Sequence, residues 1–188
     1  MKDKLLIIGA GGHGKVVADI AKQMNRWRSI SFLDDKELTG QIGLEVIGTT
    51  NEMDKFVDNH EFVVAIGNNE KRRTYIHRLE KLGASLPIIK HPSAIISDQV
   101  KIGYGTVIMP GVIINCCAEI GKGCIINTGA IVEHDCVIGD FVHLSPGSKL
   151  GGGVIIKSGS WLGMGCVVKN QITIIDDCII GAGAVMLD

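Results

Sequence analysis

Aromatic side chains make up only 4% of the 188 residues, so the interior has to be filled by Ile, Val, Leu, Ala and Cys. Neither sign of charge is in excess. The formal net charge of −1 excludes a bulk attraction to nucleic acid or to an anionic membrane. Long apolar runs are missing too. Met1-Lys2-Asp3-Lys4 leads only into Leu5 to Ile8, too short for a secretory leader, and no stretch is long enough to span a bilayer. A cytoplasmic location is expected on that basis, and with it six reduced thiols, none in a C-x-x-C zinc pattern. Arginine is absent after Arg78, so an anion gripped by a guanidinium is met by the first half of the chain. What remains, 46% hydrophobic and 21% charged, describes a globular chain with room for one large or two small domains.

What is plentiful is a rhythm. Stepping by six from Ile96 to Met186 meets sixteen consecutive aliphatic or Met positions with no insertion. Four residues after each step lies a second column of mostly small residues, among them Cys124, Cys136, Cys166 and Cys178. Three residues after each step, Gly fills nine of fifteen positions, and Asp135 and Asp177 fill two others. The first two columns both point inward, as alternation along a short strand requires. Gly or Asp in the third permits positive φ at a tight corner. Three hexads make one triangular turn, so the fifteen hexads form a parallel prism of five turns, about 24 Å tall at the usual strand spacing. A generic buried sheet has no reason to keep a strict six.

The first ninety residues read differently. Leu5 to Ile8 is a buried strand, followed by Gly9-Ala10-Gly11-Gly12-His13-Gly14-Lys15 and a helical pattern from Lys15 to Met24. Ile30 to Leu33 is a second strand ending at Asp34-Asp35, and Asn51 caps a short helix through Val57. Phe62 to Ile66 is a third strand, Glu70 to Leu82 a helix stopped by Gly83, and Pro87 to Ile89 a last short strand. This is a small parallel α/β sheet. The loop matches G-x-G-x-x-G at Gly9, Gly11 and Gly14, with Asp34 twenty positions on. Bare N–H groups at a helix N-terminus suit a phosphate. Three readings stay open: a nucleotide or nucleotide-sugar site, an NAD site, or a turn with no ligand. Length disfavours NAD, because a full dinucleotide fold needs two such halves.

Taken together, the residues resemble the bacterial sugar O/N-acetyltransferases of the sialic acid O-acetyltransferase family, which includes enzymes acting on UDP-4-amino-4,6-dideoxy sugars and GDP-perosamine. The marks are Ile8 to Lys15, Phe32-Leu33-Asp34-Asp35, Ala65-Ile66-Gly67-Asn68, His91-Pro92-Ser93-Ala94, and Ile126-Asn127 through Glu133-His134-Asp135-Cys136. The resemblance implies a Rossmann-like nucleotide-sugar domain over residues 1–91 and a left-handed β-helix acyltransferase domain over 92–188. It gives the prism its left hand, against the usual rule for parallel crossovers. It implies His134 as catalytic base with Asp135 orienting it, where members often carry Glu. Gly11, Gly12, His13, Gly14, Asp34, Asp35, Gly67, Asn68, Asn127 and Glu133 would hold the acceptor. His143, Gly152, Gly163 and Gly181 would meet acetyl-CoA, the co-substrate, with no metal involved. It further implies a homotrimer with acetyl-CoA between neighbouring prisms, and relatives that continue past the point corresponding to Asp188. The expected activity is N-acetylation of a nucleotide-linked amino sugar in surface-polysaccharide synthesis, with O-acetylation of sialic acid or another sugar hydroxyl as the alternative.

Column arithmetic tests this independently. His134 falls on a corner, with Gly152 one turn above and Cys116 one turn below. Gly152 lies in Gly151-Gly152-Gly153, where a thioester has room and a backbone N–H can bind its carbonyl oxygen. His143 is nine residues on, half a turn round the triangle, so the two imidazoles share a site only across a subunit interface. A metal-dependent hydratase needs three imidazoles per metal, and the prism offers two. A non-catalytic scaffold is the other rival. The four inward cysteines are core filler, Cys116 and Cys117 sit at a corner, and Trp161 points outward as an interface candidate.

Overall fold

The computed structural model describes residues 2–36 and 41–188. The chain opens with β1 (Lys4–Ile8), α1 (Gly12–Met24), β2 (Ser29–Leu33), a 3-10 helix (Thr50–Phe56), β3 (Glu61–Val64) and α2 (Asn69–Lys81). The three strands form a parallel sheet in the order β2-β1-β3. All but Lys4 of β1 and all of β3 are buried, as the continuous apolar runs require when both faces of a sheet are covered.

Three expectations shift here. Helix α1 begins at Gly12 and not Lys15, because Gly11 already occupies the N-cap position; His13 is therefore in the first helical turn. The short helix starts at Thr50, not after an Asn51 cap. Glu52 accepts from both the N–H (2.9 Å) and the hydroxyl (3.2 Å) of Thr49, which makes Thr49 the cap. The strand expected over Pro87 to Ile89 is Ile89–Lys90, and it pairs with Val107–Ile108 instead of joining the α/β sheet.

From Ile89 onward, two-residue strands build three parallel sheets of six, six and five strands, a left-handed parallel β-helix. Each strand pairs with the one 18 residues away, as Ile125 does with both Val107 and His143. The second residue of each strand and the small column fill the interior, and three of the inward cysteines are buried and Cys178 half-buried. At fourteen of the fifteen corners φ is positive: the nine glycines, and Cys117, Asp135, Phe141, Gln171 and Asp177. Each of these five side chains tolerates a backbone costing about 1–2 kcal/mol, and Asp is among the types that suffer it least.

The outward residues distinguish the three faces. The first face presents Ile89, Val107, Ile125, His143, Trp161 and Ile179. The first four are buried although they point out of the prism, because the α/β unit lies on them. Helix α1 packs on Ile89–Lys90, and Leu5, Ile7 and Val17 share one apolar cluster with Val107 and Ile114. The second face presents Ile95, Ile113, Ile131, Lys149, Val167 and Val185, and the third Lys101, Glu119, Val137, Ile155 and Thr173.

Arg72 locks the two parts together. Only 1% exposed, it reaches from α2 and donates to the carbonyls of Gly123 (2.7 Å) and Phe141 (2.9 Å) on the prism. It also donates to Ile66 and Gly67 (both 3.1 Å) and to Asn69 Oδ1 (2.8 Å). Its five acceptors are neutral. A guanidinium fork satisfies several carbonyls at once in a way an ammonium does not.

Candidate active site

The edge between the second and third faces carries His134 and Asp135. The left-handed corner at Asp135 (φ 59) sets its Oδ2 2.8 Å from His134 Nδ1. A carboxylate beside Nδ1 holds the proton there and leaves Nε2 with a free lone pair, the arrangement a general base needs. His134 is 58% exposed at its side chain, so Nε2 is open to a ligand. The backbone is pinned, since Gly153 N–H donates to His134 O (2.9 Å) and Asp135 N–H to Cys116 O (3.1 Å). The imidazole leans over Gly152: a Cβ there would lie 2.6 Å from both Nε2 and Cε1. Among the described residues Gly152 N–H has no acceptor, which leaves an amide donor beside the base. His134, Asp135, Gly152, Gly153, Asn170 and Gln171 line a cleft of about 400 Å³. Glu133, at the same corner, accepts from Asn115 Nδ2 one coil below (2.8 Å).

A second group lies on the first face. Asn127 Oδ1 accepts from Thr128 N–H (2.8 Å), which fixes its amide, so Nδ2 donates to His143 Nε2 at 3.2 Å. His143 is therefore neutral with its proton on Nδ1, an atom that is buried and has no partner among the described residues. Its ring stacks on Trp161, centroids 5.5 Å apart and planes 3° from parallel, and the Trp161 indole N–H donates to Ser145 Oγ (2.8 Å). Burial, with the charges of Arg72 and His13 adding, lowers the His143 pKa to about 3. Burial and then Arg72 lower that of His13 to about 4, and its Nε2 is likewise buried and unpaired among the described residues.

The glycine loop borders a separate cleft of about 400 Å³ that includes Gly11, Gly12, His13, Asp34, Asp35 and Gly67. Gly11, Gly12 and Gly67 have open space where a Cβ would sit, so a ligand can approach their backbone. Gly14 serves packing, since its Cβ would fall 2.0 Å from Gly9 O. Asp34 accepts from the N–H groups of Ala10 (2.8 Å) and Lys36 (2.9 Å), and Asp35 from the N–H (2.9 Å) and hydroxyl (2.8 Å) of Thr50. Asn68 caps α2 by accepting from Lys71 N–H (2.9 Å). Asp34 and Asp35 thus shape the cleft, whereas Asn68 is not on its wall.

Within one chain the residues expected to form a site fall into three places, one of them the glycine-loop cleft. His134, Asp135, Glu133 and Gly152 share the second–third edge. Asn127, Gly163 and Gly181 follow the first–second edge, with His143 on the face beside them. Gly163 is a packing glycine, its Cβ 2.5 Å from Ala182 N, whereas Gly181 faces open space. Sequence reasoning missed Arg72, Asn115 and the stacking role of Trp161. For the last two the signal was present: Asn115 is 18 residues before Glu133, and Trp161 is 18 after His143. A single arginine in a charged helix carried no such signal.

Comparison with known proteins agrees with this architecture. Residues 4–79 match the PglD N-terminal domain, and residues 117–152 match the bacterial transferase hexapeptide, six repeats. The UDP-N-acetylbacillosamine N-acetyltransferase of Bacillus subtilis (strain 168) is 40% identical over 107 residues, 55% of this chain and 50% of that protein. The GDP-perosamine N-acetyltransferase of Escherichia coli O157:H7 is 32% identical over 138 residues, 70% of this chain and 62% of that one. The alignments thus span about half to three-fifths of these relatives' length. Among solved structures, the acetyltransferase domain of PglB from Neisseria gonorrhoeae FA1090 superposes with a TM-score of 0.96 at 39% identity, covering 99% of this chain and 92% of that one. The same domain is known in complex with acetyl coenzyme A. PerB from Caulobacter crescentus, in complex with CoA and GDP-perosamine, gives a TM-score of 0.92 at 36% identity, covering 98% and 88%. With a PglD-type α/β domain on a hexapeptide prism and near-complete coverage at these identities, the chain belongs to the family of PglB- and perosamine-type sugar N-acetyltransferases.

Proposed function

We propose that this chain transfers the acetyl group of acetyl-CoA to the amino group of a nucleotide-linked amino sugar. The observation that carries the reading is the His134–Asp135 pair against Gly152, an exposed base with a fixed tautomer beside a free amide. Relatives that bind acetyl coenzyme A, or CoA with GDP-perosamine, supply the substrate classes. The acceptor nitrogen attacks the thioester carbonyl as His134 Nε2 takes its proton. Asp135 stabilises the imidazolium that forms, and Gly152 N–H donates to the carbonyl oxygen as it gains charge. Collapse expels the CoA thiolate, which is protonated by the same imidazolium. Residues 1–91 act as the nucleotide-sugar unit and 92–188 as the acyl-transfer unit, with Gly11, Gly12, His13 and Gly67 facing the nucleotide.

The working enzyme in this reading is a homotrimer. The first face is covered by the α/β unit and the third carries Lys101 and Glu119, whereas five of the six outward residues of the second face are aliphatic. Turning three second faces inward brings the second–third edge of each prism beside the first–second edge of its neighbour. His134 and Gly152 of one protomer then meet Asn127, His143 and Gly181 of the next in one groove. No helix among the described residues is long and apolar enough to cross a membrane. We place the enzyme in the cytoplasm, where acetyl-CoA and nucleotide sugars are both made.

The test is thiol release from acetyl-CoA with UDP- and GDP-linked amino sugars, comparing the wild type with His134→Asn. Turnover should fall about 10²–10⁴-fold, the usual contribution of a positioned base. The melting temperature should not change, because the ring is more than half exposed. Turnover with sialic acid and none with any amino sugar would replace N-transfer by O-transfer.

A further inference from the structure

Of the six cysteines, Cys124, Cys136 and Cys166 are buried and Cys178 half-buried, whereas Cys116 and Cys117 are exposed. Core filling therefore does not account for these two. Their place is specific. The 18-residue step sets Cys116 directly under His134 and Cys117 directly under Asp135, on the same edge and one coil down. The stacking is fixed by the hydrogen bond from Asp135 N–H to Cys116 O (3.1 Å). Cys117 occupies the same left-handed corner as Asp135 above it (φ 60 and φ 59), and its Sγ lies 3.4 Å from Gln99 Oε1 one coil lower. Two thiols on adjacent residues thus sit one coil below the His134–Asp135 pair that lines the cleft, on the same edge.

We propose that Cys116 and Cys117 form a dithiol site for trivalent arsenic and similar soft thiophiles, and that filling it blocks the edge on which His134 acts. The step is a condensation. An arsenoxide, R–As=O, and two thiols give two As–S bonds and one water, the two S–H protons leaving with the oxide oxygen. Arsenic stays trivalent, so no oxidant or reductant is needed. Adjacent thiols favour this chemistry over attack on reagents that take one thiol. Loss of hydration at the corner, then Cys116 and the Asp135 carboxylate, hold the Cys117 thiol above its ordinary pKa and so in its less nucleophilic protonated form. Chelation is not limited in the same way, because loss of water and ring closure drive it.

The binding claim does not depend on the enzymatic reading; only its consequence rests on His134 being the base. The experiment treats the full chain with phenylarsine oxide and follows three signals: intact mass, the His134 ring resonances in NMR, and acetyl transfer. Wild type should take up one phenylarsenic per chain, and Cys116→Ser and Cys117→Ser, which keep the shape of the side chain, should take up none. Transfer should fall about 10²-fold, the lower end of what a positioned base supplies. Ethane-1,2-dithiol should restore it, and a monothiol at equal thiol concentration should not. An adduct that persists in the double serine variant overturns the site. So does an adduct that leaves both the His134 resonances and transfer unmoved. If no acceptor is turned over, mass and resonances still decide the site, and failure of the enzymatic reading is recognised separately.

Discussion

Replacing Gly152 by Ala should disable the enzyme without weakening the fold. The added Cβ would sit 2.6 Å from His134 Nε2 and Cε1 and 3.3 Å from Cδ2. Ordinary contact needs about 3.5 Å, so the ring has to retreat by roughly 1 Å. A displacement of that size at a reacting group costs about 10²-fold in rate, or about 2.7 kcal/mol in the barrier. Stability should move the other way. Gly152 has no positive φ, and the three atoms nearest its Cβ all belong to an exposed side chain free to swing out. Gly→Ala at such a position stabilises by about 0.4–1 kcal/mol through the unfolded chain. Gly163→Ala is the matched control. Its Cβ would meet Ala182 N at 2.5 Å and Gly181 C at 2.7 Å, backbone that cannot give way. Overpacking of that kind costs about 1–3 kcal/mol. Steady-state thiol release and thermal melting on both variants decide the matter. A folded Gly152→Ala protein with wild-type kcat/KM would refute the claim that the imidazole works against this glycine.

Acid should destabilise the protein through the imidazoles of His143 and His13. His143 and His13 have folded pKa values near 3 and 4, below the unfolded value of 6.5, so the unfolded chain takes up protons that the folded one refuses. Stability is full above about pH 7 and falls as pH drops through 6.5, by about 2 kcal/mol per group at pH 5. Urea unfolding at pH 7.5 and pH 5 measures the difference, and His143→Gln should remove about half of it; an unchanged difference would mean that His143 is accessible to protons in the folded state. Arg72→Lys keeps the charge but cannot span Gly123 and Phe141 on one side and Ile66, Gly67 and Asn69 on the other. Stranding those acceptors should cost about 3 kcal/mol or more, seen as a lower urea midpoint; a loss below about 1 kcal/mol would show that the junction does not depend on the fork.

The prism was legible because its rule is periodic. Three columns six residues apart specified which atoms point inward, where φ turns positive and which residue stacks on which, and the register follows the 18-residue step throughout. The α/β unit was legible in kind but not at its ends. Helix α1 starts early because a glycine N-cap leaves no side-chain signature. The strand at Ile89–Lys90 is the clearest case. Apolar and short, it fits either sheet, and only the tertiary choice to pair with Val107–Ile108 assigns it to the prism.

The site shows the same division between what a period fixes and what it cannot. Arithmetic put His134 one coil below Gly152 and sent His143 to another face, because both statements concern position within a repeat. It could not say that the first face is roofed, since the roof comes from a segment without a repeat. Val107 and Ile125 hint at a covered face, but aliphatic residues also stand outward at Ile95 and Val185, which remain open. The roof is what makes His143 a neutral, stacked hydrogen-bond acceptor for Asn127 and not a surface base, and Arg72 holds that roof in place. Two histidines nine residues apart thus differ in chemistry for a reason outside the prism. One stands on a bare corner with a carboxylate beside it, the other under a domain with a guanidinium nearby. That contrast is why His134, and not His143, is the proton acceptor in the proposed reaction.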